Sequence, residues 1–182
     1  MADFPAPNHD HSHCADRIVR TARAVCRRRG ARLTSQREKV LELLAQGHRP
    51  MGAYELMDAM AGDGRRPAPI TVYRALDFLV QQGLVHRIES RNAFIACTAG
   101  DARHSATVFL ICRACGNVGE ALAEGVGEAL DSVAAANGFA PDLTVIEIDG
   151  LCRHCAQTAA GAQMSGERGS GERAATGTAE RT

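Results

Sequence analysis

Residues 71–97 read TVYRALDFLVQQGLVHRIESRNAFIAC. Val72, Ala75, Leu76 and Leu79 fall at the spacing of one helical face, so the stretch 71–82 predicts an amphipathic helix with those four side chains turned inward. Tyr73, Arg74 and Asp77 then lie on the other faces, available to solvent or to a partner. Gly83 supplies the stop. Two short runs of β-prone residues follow, 84–88 and 93–97, joined by the polar segment 89–92, which is the pattern of a hairpin.

Upstream, residues 14–29 set Ile18, Ala22 and Val25 on one helical face with arginines opposite, and Gly30 follows as a stop. Thr34 or Ser35 can cap a second helix, with Ser35 and Glu38 in capping-box register and Val40, Leu43 and Leu44 as its buried stripe. A short third helix covers 53–61, and 62–69 reads as a loop. Three or four short helices followed by a hairpin make a winged helix-turn-helix, in which the helix before the wing enters the major groove. Residues 71–82 are then the reading helix. Charge agrees: residues 17–91 carry 15 Arg and Lys against 7 Asp and Glu, whereas the whole chain is formally neutral. A basic segment of this kind suits a nucleic-acid partner, because neutralising phosphates releases counterions.

Downstream, 99–106 reads as a hinge and 107–112 as a β-rich run leading into Cys112 and Cys115. Residues 124–137 predict a helix burying Val126, Leu130 and Val133, and 143–148 a strand that delivers the chain to Cys152 and Cys155. Two thiol pairs, each with two intervening residues, supply the tetrahedral sulfur set that Zn²⁺ prefers. A disulfide framework is the alternative, and nothing in the chain points to an oxidising compartment. The core of this second part is small, so zinc and association with a second copy are its expected sources of stability. The fold class expected is α+β: an N-terminal winged helix-turn-helix domain plus a small C-terminal α/β dimerisation domain with a four-cysteine zinc site. The expected boundaries are 1–16 for a His-rich lead, 17–97 for the DNA-binding domain, 98–106 for the hinge, 107–157 for the dimerisation domain and 158–182 for a disordered tail.

No apolar run approaches the ~20 residues needed to span a bilayer, and the start is acidic and His-rich, so a cytoplasmic protein without a membrane partner is expected. There is no His-Glu-x-x-His helix, Gly-x-Ser-x-Gly turn or phosphate loop, and four protein donors per ion leave no position for a catalytic water, so no enzymatic activity or small-molecule substrate is expected. Cys26 reads as buried filler and His48 as a surface residue; the cluster His9, His11, His13 and Cys14 reads either as a metal-capturing segment or as a lead with incidental affinity.

The order of parts resembles the ferric uptake regulator family over about residues 17–157. The likeness is carried by Leu33-Thr34-Ser35-Gln36-Arg37, Thr71-Val72-Tyr73-Arg74-Ala75-Leu76 and Cys112-Arg113-Ala114-Cys115-Gly116. Within that family the chain is similar to the zinc uptake branch through Asp77-Phe78-Leu79, Val85-His86-Arg87-Ile88-Glu89-Ser90 and Gly150-Leu151-Cys152. The resemblance implies a second, exchangeable zinc held by His86, Cys97, His104 and Glu120, hence two ions per protomer, one structural and one regulatory. Imidazole, thiolate and carboxylate together suit four-coordinate Zn²⁺ better than an octahedral, oxygen-seeking ion. Iron-sensing relatives carry a His-His-x-x-x-His cluster ahead of the first thiol pair, whereas this chain has only His104 there.

The implied function is a zinc-responsive repressor, a homodimer that binds a palindromic operator and silences zinc-uptake genes. A relative sensing iron, manganese or peroxide is the alternative. Arg74 is the candidate base reader, since its planar fork matches guanine O6 and N7, and Tyr54 is a contact the family likeness suggests. Thr71, Tyr73 and Arg32 are candidate phosphate contacts, which position without specifying.

Overall fold

The computed structural model describes residue 4 and residues 12–62, 64–98, 106–122 and 125–158. Helix α1 (Ser12–Arg28) begins inside the expected N-terminal lead and buries Ala22, Val25 and Cys26. In α2 (Ser35–Ala45) the cap is Thr34, whose hydroxyl accepts the Arg37 N–H at 3.5 Å. The expected Ser35 and Glu38 box does not form, because Ser35 is already the first helical residue and Glu38 is paired with Arg23 of α1. The stripe α2 buries is Val40, Leu41, Leu44 and Ala45; Leu43 sits at its edge, half-buried. Helix α3 (Ala53–Ala61) starts at Gly52, whose N–H donates to the Glu55 carboxylate at 2.6 Å.

Helix α4 (Pro69–Gln81) begins two residues ahead of the expected start, because Pro69 takes the first helical position, where its missing N–H costs nothing. Its inward face is Val72, Ala75, Leu76 and Leu79, as the periodicity requires. The helix ends in a paired cap: Gly83 N–H donates to Val80 O at 2.8 Å and Leu84 N–H to Leu79 O at 2.9 Å. Gly83 adopts φ +65°, a conformation that costs a β-carbon, and this turn aims the chain straight into the wing. Strands β1 (Val85–Ile88) and β2 (Ala93–Ala96) pair antiparallel around a single 3-10 turn, Glu89–Arg91, with Asn92 left-handed. Together the helices and hairpin form the winged helix-turn-helix.

The second domain is a three-stranded sheet in the order β4-β3-β5, made of β3 (Ala106–Cys112), β4 (Val118–Leu122) and β5 (Thr144–Gly150), with α5 (Val126–Ala136) preceding β5. β3 pairs antiparallel with β4 and parallel with β5. Strand β4 has no counterpart in the sequence expectation, since Gly119, Glu120 and Ala121 are poor strand formers held by pairing rather than propensity. Side chains opposite one another in register share a face. Glu120, Phe109 and Glu147 therefore form one row across the sheet, and Val118, Ile111 and Asp149 the next.

That face meets the wing. Ile88 and Ile95 of the hairpin are buried with Phe109, Ile111 and Val118, a core shared by the two domains and separate from the larger core among the helices. His48 belongs to the same junction: it is half-buried rather than on the surface, and its carbonyl accepts the Val118 N–H at 2.8 Å. The expected burial of α5 is not found in the single chain. Val126, Leu130 and Val133 are 43%, 37% and 61% exposed, because the sheet packs a face on the wing and nothing among the described residues covers α5.

Candidate metal centres and nucleic-acid face

The parallel register of β3 and β5 brings Cys112 beside Gly150, so both strands end at one level and their following turns meet. Cys112, Cys115, Cys152 and Cys155 each offer a sulfur within 4.8 Å of the others. The first turn closes through Gly116 N–H to Cys112 O at 2.8 Å, with Gly116 at φ +75°. A β-carbon there would also stand 3.1 Å from Arg49 Nε, so the glycine serves both the turn and the approach of the α2–α3 loop. The Cys152 N–H donates to Cys112 Sγ at 3.4 Å and the Cys155 N–H to Cys152 Sγ at 3.5 Å, the inward amides usual around bound thiolates. Burial works against the Cys112 thiolate, but the backbone amides of Cys115, Cys152 and Ala114 bring its pKa down to about 6, while the hydrogen bond to Cys152 and burial push Cys155 up to about 12. No disulfide joins any of the cysteines. Four convergent sulfurs fit a tetrahedral, thiophilic ion such as Zn²⁺.

A second cluster spans the two domains: His86 of β1, Cys97 just past β2 and Glu120 of β4 lie with their ligand atoms within 4.8 Å of one another. His86 Nε2 stands 3.5 Å from Glu120 Oε1, and Cys97 Sγ is 4.0 Å from the same oxygen. The other Glu120 oxygen accepts the N–H and the hydroxyl of Thr98 at 3.2 and 3.1 Å, which fixes the carboxylate. Phe109 walls the site, its ring centroid 5.2 Å from that of His86. Burial disfavours the imidazolium, yet Cys97 and Glu120 outweigh it and raise the His86 pKa to about 9. Burial likewise opposes the Glu120 carboxylate, and His86 with Thr98 holds it below the usual range. His86 Nε2 is nevertheless buried without a hydrogen bond among the described residues, close to its neighbours but not aligned on them. A buried nitrogen aimed at a thiol and a carboxylate is the arrangement a cation satisfies, and the mixed donor set fits Zn²⁺. His104, expected as the fourth donor, lies outside the described residues, as do His9 and His11. Thr98 and Phe109 were not foreseen; alternation along β3 is the signal for Phe109, whereas a loop threonine leaves none.

The candidate DNA contacts lie on α3, on α4 and in the loop before α2. Tyr54 of α3 is 65% exposed and Tyr73 of α4 40%, Arg74 is exposed next in sequence to Tyr73, and Thr71 is half-buried in the first turn of α4. Arg66 pairs with Asp58 at 2.9 Å and stands 6.0 Å above the Tyr54 ring. Arg32 is exposed in the α1–α2 loop, and its carbonyl accepts from Arg37 at 2.6 Å. The Arg37 guanidinium also lies 3.6 Å over Phe78, so one side chain ties that loop to the reading helix.

Known proteins share this architecture. The sequence profile of the Ferric uptake regulator family matches residues 28–148. The zinc uptake regulation protein of Escherichia coli (strain K12) is 40% identical over 143 residues, covering 79% of this chain and 84% of the relative. That of Mycobacterium tuberculosis (strain ATCC 25618 / H37Rv) is 31% identical over 129 residues, covering 69% and 95%. Among solved structures, a zinc uptake regulator complexed with zinc and DNA superposes with a TM-score of 0.76 at 39% identity, covering 80% of this chain and 97% of that one. Holo XcZur superposes with a TM-score of 0.72 at 43% identity, covering 78% and 99%. With the profile spanning most of the folded region and relatives this similar across both domains, the chain belongs to the ferric uptake regulator family.

Proposed function

We propose that this protein is a zinc-responsive transcriptional repressor whose zinc-loaded dimer binds palindromic operator DNA and represses zinc-uptake genes. The observation that carries the reading is the cluster of His86, Cys97 and Glu120, which takes two donors from the wing side and one from the second domain. An ion bound there, with His104 as the fourth donor, joins the reading head to the body. Cys112, Cys115, Cys152 and Cys155 hold a second, structural ion, giving two per protomer. The thiolate in the regulatory set favours zinc over manganese or ferrous iron. Four protein donors at each ion leave no position for a catalytic water, in keeping with a regulator rather than an enzyme.

The exposed apolar side chains Val126, Val133, Phe139, Leu143 and Ile148 form the surface expected to pair two copies. Reduced thiolates and DNA as partner suit the cytoplasm. With the dimer formed, Arg74 and Tyr54 contact bases and Thr71, Tyr73 and Arg32 contact phosphates, in half-sites one helical turn apart, roughly 34 Å. Zinc and operator favour one closed state, so each raises affinity for the other by the same factor.

The test is an operator shift assay across buffered free zinc, run with the intact protein and with a His86→Ala, Cys97→Ser double variant. The variant should retain one ion per protomer and lose zinc-dependent binding. A variant that keeps both ions, or binds operator with unchanged zinc dependence, would refute the regulatory site.

A further inference from the structure

The metal cluster grips only one end of the wing. His86 and Cys97 lie at the open end of the hairpin, while its tip, the turn Glu89–Arg91, is held elsewhere. The Glu147 carboxylate on β5 accepts the backbone N–H of Glu89 at 2.7 Å through one oxygen and that of Ser90 at 3.1 Å through the other. One turn residue further, Arg91 pairs with Asp149 at 2.6 Å. Glu147 and Asp149 alternate along β5 onto the face that carries Phe109 and Ile111, so the contacts continue the hydrophobic junction instead of lying apart from it. The Ser90 and Glu89 donors hold the Glu147 carboxyl below its usual range, against the effect of burial.

We infer that Glu147 and Asp149 are positioning residues for operator binding: by holding the wing tip to β5, they fix the orientation of the reading head at the end of the hairpin that the ion does not reach. A bridging ion and the Thr98 bonds to Glu120 hold the open end of the hairpin, and the apolar middle packs without directional contacts. An anchor at the far end sets the angle of the tip against β5. Arg91 is thereby committed to the second domain rather than to phosphate, and the wing acts as a brace between domains. Charge-assisted hydrogen bonds to two backbone amides and a guanidinium are the stronger class of polar contact, and they need no metal.

This inference rests on the proposed function, and the experiment separates the two. Operator affinity is measured at saturating zinc for the intact protein, Glu147→Ala, Arg91→Asp, and the exchanged Arg91→Asp, Asp149→Arg double variant, with metal content counted in each. Glu147→Ala and Arg91→Asp should each bind operator about tenfold more weakly with an unchanged metal count, and the exchanged pair should recover most of the loss of Arg91→Asp. Recovery with an aspartate at 91 also excludes a direct phosphate contact as the cause. Unchanged affinity in both single variants, loss of an ion from Glu147→Ala, or an exchanged pair no better than Arg91→Asp would overturn the inference. Failure of the intact protein to bind operator with zinc would instead overturn the proposed function.

Discussion

Glu120 and Glu147 stand on the same face of one sheet, each in register with Phe109, one across the antiparallel pair with β4 and the other across the parallel pair with β5. A carboxylate at either edge and an aromatic between them give the wing a polar contact at each end and an apolar one in the middle. The edge at Glu120 is the one equipped for metal, because only there do an imidazole and a thiol converge on the carboxylate.

Glu120→Gln therefore separates charge from shape. The amide oxygen can still accept from Thr98, so the loop stays held, but the anionic donor is gone. Zinc affinity at the interdomain site should fall by more than the roughly 10–100-fold typical of residues that only orient a ligand, and the four-cysteine ion should stay. Competition against a chromophoric chelator measures both; equal affinity in variant and intact protein would remove Glu120 from the donor set.

Zinc capture should expel a proton from His86. Its folded pKa is raised to about 9, so in the metal-free protein its protonated form contributes stability that is fully present below the ordinary value of 6.5 and is lost as pH rises through about 9. Zinc takes the neutral ring, so the His86 proton should make apparent zinc affinity at this site climb with pH up to about 9. Titration calorimetry in buffers of differing ionisation enthalpy counts the protons released at this site, and a count at neutral pH no larger than the one the Cys97 thiol gives up on binding as thiolate would contradict the environment assigned to His86.

The winged helix was legible because its signals are local. The stripe of α4, the stop at Gly83 and the hairpin after it are read within 27 residues of one stretch, 71–97, and packing only had to obey them. Four cysteines announce themselves by spacing alone. Strand β4 was illegible for the opposite reason: its backbone is held by β3, and its composition carries no preference for a strand. Burial on α5 misled because its periodicity records what the helix is built to cover, whereas the described residues of the single chain supply no cover. The link from the wing tip to Glu147 joins residues 57 and 58 apart in sequence, a relation that no window on the chain contains.

Cys152→Ala should destabilise the second domain far more than the first. Its thiol sits where the ends of β3 and β5 are clamped, and an ion present at a thousandfold over its dissociation constant contributes about 4 kcal/mol of folding stability. The second-domain transition of the zinc-loaded protein should drop by roughly 15–30 °C, with the winged-helix signal melting separately. A variant that melts with the intact protein would show that the four-cysteine ion carries no load.

Arg74→Ala and Arg32→Ala should fail differently. Arg74 is exposed on α4, where a base edge can be reached, so its loss should cost about 1 to 3 kcal/mol on the cognate operator and relax preference at one position. Arg32 is exposed in the loop before α2, and its loss should weaken cognate and scrambled DNA alike while reducing the salt slope by about one. Binding isotherms at several salt concentrations on both sequences decide between the roles, and equal losses on both DNAs for Arg74→Ala would remove it from base reading.

Val133 and Phe139 are 61% and 66% exposed, and both belong to the segment around α5 that the sheet leaves uncovered. If a second copy covers them, charges there are desolvated against like charges of the partner, since a two-fold interface brings a patch against itself. A Val133→Asp, Phe139→Asp variant should then be monomeric by light scattering at concentrations where the intact protein is dimeric. Its metal sites lie elsewhere, so the ion count should be unchanged. Operator binding should nevertheless collapse, because a lone reading head forfeits the gain from engaging two half-sites at once. A variant that remains dimeric would move the interface off α5, and a monomer that binds the full operator as tightly as the intact protein would remove pairing from the mechanism.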